Sequence, residues 1–507
     1  MRALGLGRSS VVLLASTWGQ TALGLLASVL VGRWLGPSAV GLIALNLGLA
    51  GLLMAALLPG FTRAHLKRLS EGQDAGRCVG TMLAIQAALA ALLCVAVVLA
   101  WALGLRSDGR TAAAVFAFML AAQIAGKLGD VFLQVFIARR WVVDHGAITL
   151  GARAARLAAT VLVLLLRPSV ALVAATFLLE AALAAVAAVA VLASRHGVAL
   201  RRPTAESLRG YWTYARPFIV TTPVALVQDS VDRFLVGRWA GLTAAGHYHV
   251  ARGLWEVLSG IVAPPGLMLF TRLSSLYARR SPEDDREART LFFRGLDKLL
   301  FVSTAVALAF WTLGALVITA FYGLAFADAT IAFRILILAA LVGSVVNPYT
   351  LVLQAQDEVA RFVPVSLLRL VVYLAALGVL VPGLAAAVVG PWVPSGDAGA
   401  ALARLLLVLF PAWVYFRWTR DLAGIPFYRR AAGVYVAGFV VSVLVFEAAR
   451  AALEAADVAP RAGDAASAVA AGLAYVLWLR QTHPEAVTHV RYFLNLARSP
   501  LGGGGGV

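Results

Sequence analysis

Apolar runs of roughly twenty residues follow one another along the chain, separated by short polar breaks; a helix of that length crosses a hydrocarbon core of about 30 Å. About fourteen such runs are predicted as membrane-spanning helices. They fall at 9–31, 38–60, 78–104, 111–137, 146–166 and 168–193, at 215–236, 244–268, 295–320, 329–353, 362–382 and 398–416, and at 429–449 and 462–480. The expected fold class is an all-α polytopic membrane protein.

Composition agrees with the pattern. Of 507 residues, 61% are hydrophobic and 13% charged, with a mean hydropathy of +0.86, whereas a soluble domain is about half apolar and a quarter charged. A net charge of +18 would suggest nucleic acid in a soluble chain, but here the basic residues collect on alternate loops. With the N-terminus inside, about 27 Lys and Arg lie on the inner side and about seven on the outer, so no nucleic-acid partner is expected. One miscounted helix would scramble this asymmetry from that point onward. It persists to the end, which supports the count of fourteen; the expected location is the inner (cytoplasmic) membrane, multi-pass, with both termini cytoplasmic. MRALGLGRSS reads as the start of a retained first helix, and LGGGGGV as a flexible tail outside the fold. Cys78 and Cys94 lie on one predicted helix, too far apart along it to pair.

Two stretches nearly repeat. VGRWLGPSAVG at 31–41 and VGRWAGLTAAG at 236–246 are the same in about seven of eleven positions. Six predicted spans separate them, and an even number gives both halves one orientation, a parallel repeat about an axis along the membrane normal. GFTRAHLKRLS at 60–70 likewise parallels LFTRLSSLYAR at 269–279. The expected organisation is an N-lobe at 1–205 (helices 1–6), a C-lobe at 206–420 (helices 7–12), helices 13–14 at 421–481 and a cytoplasmic tail at 482–507. In each turn Arg33 or Arg238 can snorkel, Trp34 or Trp239 suits the interfacial belt, and Gly36 or Gly241 ends a helix.

No long loop interrupts the chain, and no phosphate-binding loop, dinucleotide fingerprint, zinc spacing or nucleophile elbow occurs. The protein is therefore expected not to be an enzyme. Chemistry is sought instead among charges inside the spans, which are costly and normally face a cavity or a partner. Several cancel locally: Lys127 with Asp130, Asp229 with Arg233, and Arg252 with Glu256 stand at helical i, i+3 or i, i+4 spacing. Arg153 and Arg156 share one face of the fifth span without an acid in that helix, and Arg369 is their counterpart in the repeat. Guanidinium forks match phosphate oxygens, although snorkelling to the inner headgroups explains the same residues. Asp229 and Asp232 on the seventh span share a face, as ion-coupling sites often require, and an internal salt-bridge network is the other reading. Glu180 stands alone in the sixth span, as a cavity residue or a protonated core acid. His247 and His249 read as interfacial packing.

With these residues in view, the chain resembles the polysaccharide-flippase (Wzx-type) branch of the multidrug, oligosaccharidyl-lipid and polysaccharide exporter superfamily. The resemblance rests on the six-plus-six-plus-two count, the VGRWLGPSAVG turn, DRFLVGRWAGLTAAGHYHVARGL at 232–254 and LVLQAQDEVARF at 351–362. It implies transfer of an isoprenoid-pyrophosphate-linked oligosaccharide to the outer leaflet by alternating access. The coupling ion would be Na+ or H+, and no other cofactor is implied. Partners would be that glycolipid, membrane lipids and other glycan-assembly proteins. The substrate-binding candidates are Arg153, Arg156, Arg233, Arg252, Arg334 and Arg369, and the ion-coupling candidates Asp229, Asp232 and Glu180. The alternatives are a peptidoglycan lipid II flippase, an organic-cation antiporter, whose cavity would be acidic, and a non-transporting scaffold of a glycan-assembly complex.

Overall fold

The computed structural model describes residues 6–55, 60–103, 109–216, 218–277, 281–356, 361–390 and 393–484. The expected tail beyond residue 484, with LGGGGGV, lies outside the described residues, as does part of the LVLQAQDEVARF turn. Among the described residues every regular element is a helix. In chain order they are α1 (Leu6–Met54), α2 (Gly60–Ser70), α3 (Ala75–Ala102), α4 (Arg110–Ala138), α5 (Val142–Leu166), α6 (Val170–His196), α7 (Ala205–Ala215) and α8 (Phe218–Trp239). There follow α9 (Leu242–Tyr277), α10 (Pro282–Tyr322), α11 (Ala329–Ala355), α12 (Phe362–Leu380), α13 (Leu384–Val389), α14 (Gly396–Leu409), α15 (Ala412–Ala423), α16 (Arg429–Ala455) and α17 (Pro460–Thr482).

Eleven helices among the described residues are long and apolar enough to cross a membrane. One of them, α1, holds two predicted spans, and α8 and α9 match the seventh and eighth, so the all-α polytopic reading with about 14 spans stands. The chain divides into two compact units, Met1–Val250 with Ser366–Ala400, and Ala251–Val365 with Ala401–Val507. Packing defines these units, whereas the lobes 1–205 and 206–420 were defined by sequence repetition; the two divisions are distinct.

The repeated turn has a conformational cause. Gly36 sits at φ 80° and ψ 176°, and Gly241 at φ 93°, a region that glycine enters without Cβ strain. At Gly36 the helical path of α1 is broken, so the one long helix is two spans. Trp34 and Trp239 are both exposed, with Arg33 and Arg238 beside them, as interfacial residues should be.

The two copies also meet, inside the first unit. A Cβ on Gly41 would lie 1.7 Å from the Leu242 carbonyl oxygen, and one on Gly246 would lie 2.0 Å from the Pro37 carbonyl oxygen. Gly41 and Gly246 close their respective copies, and Pro37 and Leu242 hold the same position within them. The contact is thus reciprocal: each copy sets its last glycine on the other's backbone, as small residues do where membrane helices approach closely. Below it, α1 packs along α8, where Gly48 and Gly51 admit the Ser230 turn.

Sequence periodicity did not single out α7, and it ran the twelfth span straight through 398–416. The chain instead breaks at Phe410–Pro411. Proline cannot donate the helical hydrogen bond, and the residues beyond it alternate arginine with aromatics, so α15 forms a separate amphipathic helix. Pro348 causes no such break, and α11 runs through it.

Helices α2 and α7 are amphipathic and dock through a buried histidine. His65 Nε2 faces the Val131 carbonyl at 3.0 Å and Nδ1 faces the Tyr211 hydroxyl at 2.8 Å. Burial pushes the imidazole down to about 4, with the Val131 hydrogen bond opposing, against about 6.5 for an exposed histidine. The folded state therefore resists a proton that the unfolded chain accepts, so stability is full above about pH 6.5 and falls as the pH drops toward 4. Between pH 7.5 and 5 the loss from this residue should be about 2 kcal/mol. Thermal unfolding in detergent at the two pH values should show it in the wild type, and His65→Asn should shrink the difference.

Candidate functional site

The hairpin α5–α6 turns at Arg167–Ser169, and its two arms carry the candidate charges toward each other. Arg153 and Arg156, a helical i, i+3 pair, reach the same atom: each Nη1 donates to Glu180 Oε2 at 3.1 Å. The acid missing from the fifth span is supplied by the sixth. Two guanidinium groups share one carboxylate, which leaves one positive charge over, and Nε of both arginines is buried with no hydrogen-bond partner among the described residues. The Arg156 guanidinium also lies 3.4 Å from the Phe177 ring centroid. The arrangement leaves charged donors on hand for a further anion.

These residues line a cavity of about 410 Å³ in the first unit. Gln20, Gln123 and Thr149 add neutral polar groups to its wall, and Gln20 Nε2 donates to Thr149 Oγ1 at 3.0 Å, tying α1 to α5. Asp130 lines it too, 3.8 Å from Lys127, so the pair predicted from spacing forms. Counting Lys127, Arg153 and Arg156 against Asp130 and Glu180, the neighbourhood carries a net single positive charge. On its other side Arg156 borders a small, largely apolar cavity of about 40 Å³, whose wall also holds Ser28, Thr160 and His249.

The acidic candidates on α8 do not share one environment. Asp229 is exposed, and Asp232 is wholly buried. Asp232 Oδ2 accepts from Tyr248 Oη at 2.8 Å and Tyr373 Oη at 2.9 Å, and Oδ1 from the Arg233 backbone N–H at 2.8 Å. One carboxylate thereby joins α8, α9 and α12. Neither tyrosine was singled out by sequence reasoning.

The remaining arginines fall in both units. Arg233 and Arg369 are half-buried in the first unit. Arg252 and Arg334 belong to the second, where Arg252 is buried and pairs with Glu256 at 3.1 Å, as its spacing predicts. Arg334 pairs with Glu447 at 3.1 Å and stands 5.2 Å from the Trp311 ring centroid. Of the six candidates, Arg153 and Arg156 line the cavity described above. Among the described residues no group of His, Cys, Asp or Glu has a metal-holding arrangement.

The sequence profile of the polysaccharide biosynthesis protein family matches residues 6–276, more than half of the chain. The chain belongs to that family. No curated protein matches this chain in sequence. Its fold is similar to that of the lipid II flippase MurJ in an inward closed conformation, with a TM-score of 0.72, 11% identity, and coverage of 94% of this chain and 100% of the other. An inward-facing multidrug resistance transporter of the MATE family follows, with a TM-score of 0.62 and 15% identity over 80% and 94%. A superfamily transporter from Pyrococcus furiosus, described as having a binding pocket of reversed polarity, gives 0.53 and 14% over 82% and 95%. The chain thus has the fold of the multidrug, oligosaccharidyl-lipid and polysaccharide exporter superfamily, and its family agrees with the resemblance to the polysaccharide branch.

Proposed function

We propose that the protein moves an isoprenoid-pyrophosphate-linked oligosaccharide from the cytoplasmic to the outer leaflet of the inner membrane by alternating access, with both termini cytoplasmic. The carrying observation is the pair Arg153 and Arg156 on one carboxylate in a cavity within the spans. A pyrophosphate entering there meets two guanidiniums that Glu180 only half neutralises, and the charge-assisted hydrogen bonds it forms are strong in a low dielectric. Gln20, Gln123 and Thr149 offer hydroxyl-binding partners for the first sugars. The lipid tail stays in the bilayer. An organic cation would instead be repelled. Lipid II is a second reading, because it is also an isoprenoid pyrophosphate and the MurJ fold extends over nearly the whole chain.

Asp232 is the coupling residue we favour, with H+ as the ion. Its Oδ2 is held by two hydroxyl donors, so a proton arriving there forces a phenol to reverse and loosens the α8–α9–α12 junction. Flipping of defined lipid-pyrophosphate glycans and of lipid II in proteoliposomes, with and without pH or sodium gradients, tests both readings. Asp232→Asn should lower gradient-driven transfer about tenfold and leave gradient-free transfer within about twofold. Absence of leaflet transfer under every gradient would overturn the assignment.

A further inference from the structure

Helix α15 and the start of α16 build a second basic cavity, in the second unit, that the transport reading does not use. It measures about 400 Å³ and is lined by Trp413, Arg417, Arg420, Phe427 and Arg429, among others. The buried face of α15 is Tyr415, Thr419 and Ala423, and this spacing turns Trp413, Arg417 and Arg420 outward, at 67%, 57% and 62% exposure. The helix end is fixed by Gly424 in the left-handed region and by Arg289 Nε, which donates to the Ala423 carbonyl at 3.2 Å. Phe427 stacks on Phe416 at 4.4 Å, which brings the returning chain and Arg429 against α15.

The charges here are in excess and one is misplaced. Arg417 and Arg420 share a single acid, Asp421, at 3.6 and 3.1 Å. Helix α16 opens on Arg429 and Arg430 with no acid in its first turn and no side-chain cap. Cations at a helix N-terminus oppose the macrodipole, and an anion there relieves both the dipole and the arginines. The geometry points to a site for the phosphate of an anionic phospholipid of the cytoplasmic leaflet, held by Arg417, Arg420 and Arg429 beside the Trp413 ring.

Phosphate chemistry alone would also suit a free ion. A lipid is favoured because the chain leading into the cavity exposes Leu406, Leu409, Phe410 and Trp413, an apolar approach ending at the arginines. Twelve predicted spans precede the site, which puts it on the side that the Lys and Arg asymmetry assigns to the cytoplasm. Arginine at this level meets headgroups, and tryptophan the interface.

The test uses the full chain in detergent, offered equal phosphatidylglycerol and phosphatidylcholine and weighed by native mass spectrometry. The wild type should retain phosphatidylglycerol over phosphatidylcholine by about tenfold or more, and millimolar inorganic phosphate should not displace it. Joint replacement Arg417→Gln, Arg420→Gln and Arg429→Gln should bring the ratio within about threefold of unity. Arg209→Gln, Arg216→Gln and Arg286→Gln together remove the same charge elsewhere and should leave the ratio near wild type. Equal retention of both lipids by the wild type, displacement by phosphate, an unchanged ratio in the first triple variant, or an equal fall in the second would each overturn the site. The wild-type arms can overturn the site even if a variant fails to fold.

Discussion

Replacing Arg153, Arg156 and Glu180 together by glutamine should slow transfer of a pyrophosphate-linked glycan at least about a hundredfold, because two charge-assisted hydrogen bonds are each worth about 1.5–3 kcal/mol. The three are changed as a set for a physical reason. Removing the arginines alone would strand a half-buried carboxylate, a severe cost, whereas replacing a whole charged cluster by neutral groups of similar size is often close to neutral for stability. The triple variant should therefore keep a single size-exclusion peak and nearly the wild-type unfolding temperature. Arg153→Gln by itself leaves Arg156 neutralised by Glu180, and transfer should fall about tenfold. Glu180→Gln releases both guanidiniums and should tighten substrate binding. Proteoliposome transfer assays on the purified variants check each outcome, and a triple variant within about threefold of wild type would remove the cavity from the mechanism.

The second large effect belongs to stability. Gly41→Ala and Gly246→Ala each drive a methyl group into a backbone oxygen, at 1.7 and 2.0 Å, and a carbonyl fixed in its own helix has no rotamer by which to yield. Each should destabilise by about 3 kcal/mol or more, at the upper end for overpacking. Since both glycines serve one contact, the double variant should cost less than the sum of the two, the coupling expected of neighbours. Gly433→Ala, with nothing within 4 Å of its added methyl, is the control and should be neutral or stabilising by up to about 1 kcal/mol. Thermal unfolding of the four variants and the wild type in one detergent measures all of this. Equal melting of Gly41→Ala and the control would contradict the close approach.

Most of the architecture was legible because membrane spans declare themselves by length and apolarity, and helix ends agreed within a few residues for α3, α4, α11 and α12. The site was less so, for reasons that differ by residue. The Glu180 clamp was readable in principle: Pro168 lies midway between Arg156 and Glu180, so an antiparallel hairpin folded there sets them level. Nearer the open end of the same hairpin, Asp144 pairs with Arg195 and His196, both at 3.0 Å. Asp229 and Asp232 were expected to share a face, but a spacing of three leaves two helical positions about 60° apart. At the edge of a packed stripe that angle separates solvent from core. Tyr373 and Glu447 come from helices distant in sequence, and Tyr248 reaches Asp232 from the next helix across the Gly241 turn, so no periodicity within one helix reports them.

The reciprocal glycine contact has one more consequence. An interface in which position i of one copy touches position j of the other, and j touches i, has the self-complementary form of a homodimer seam. Joining two such subunits end to end would leave this signature in a single polypeptide, with the ancestral dyad running between Gly41 and Gly246. Elsewhere the halves are free to diverge, but at that spot a bulky residue in either one is felt by both.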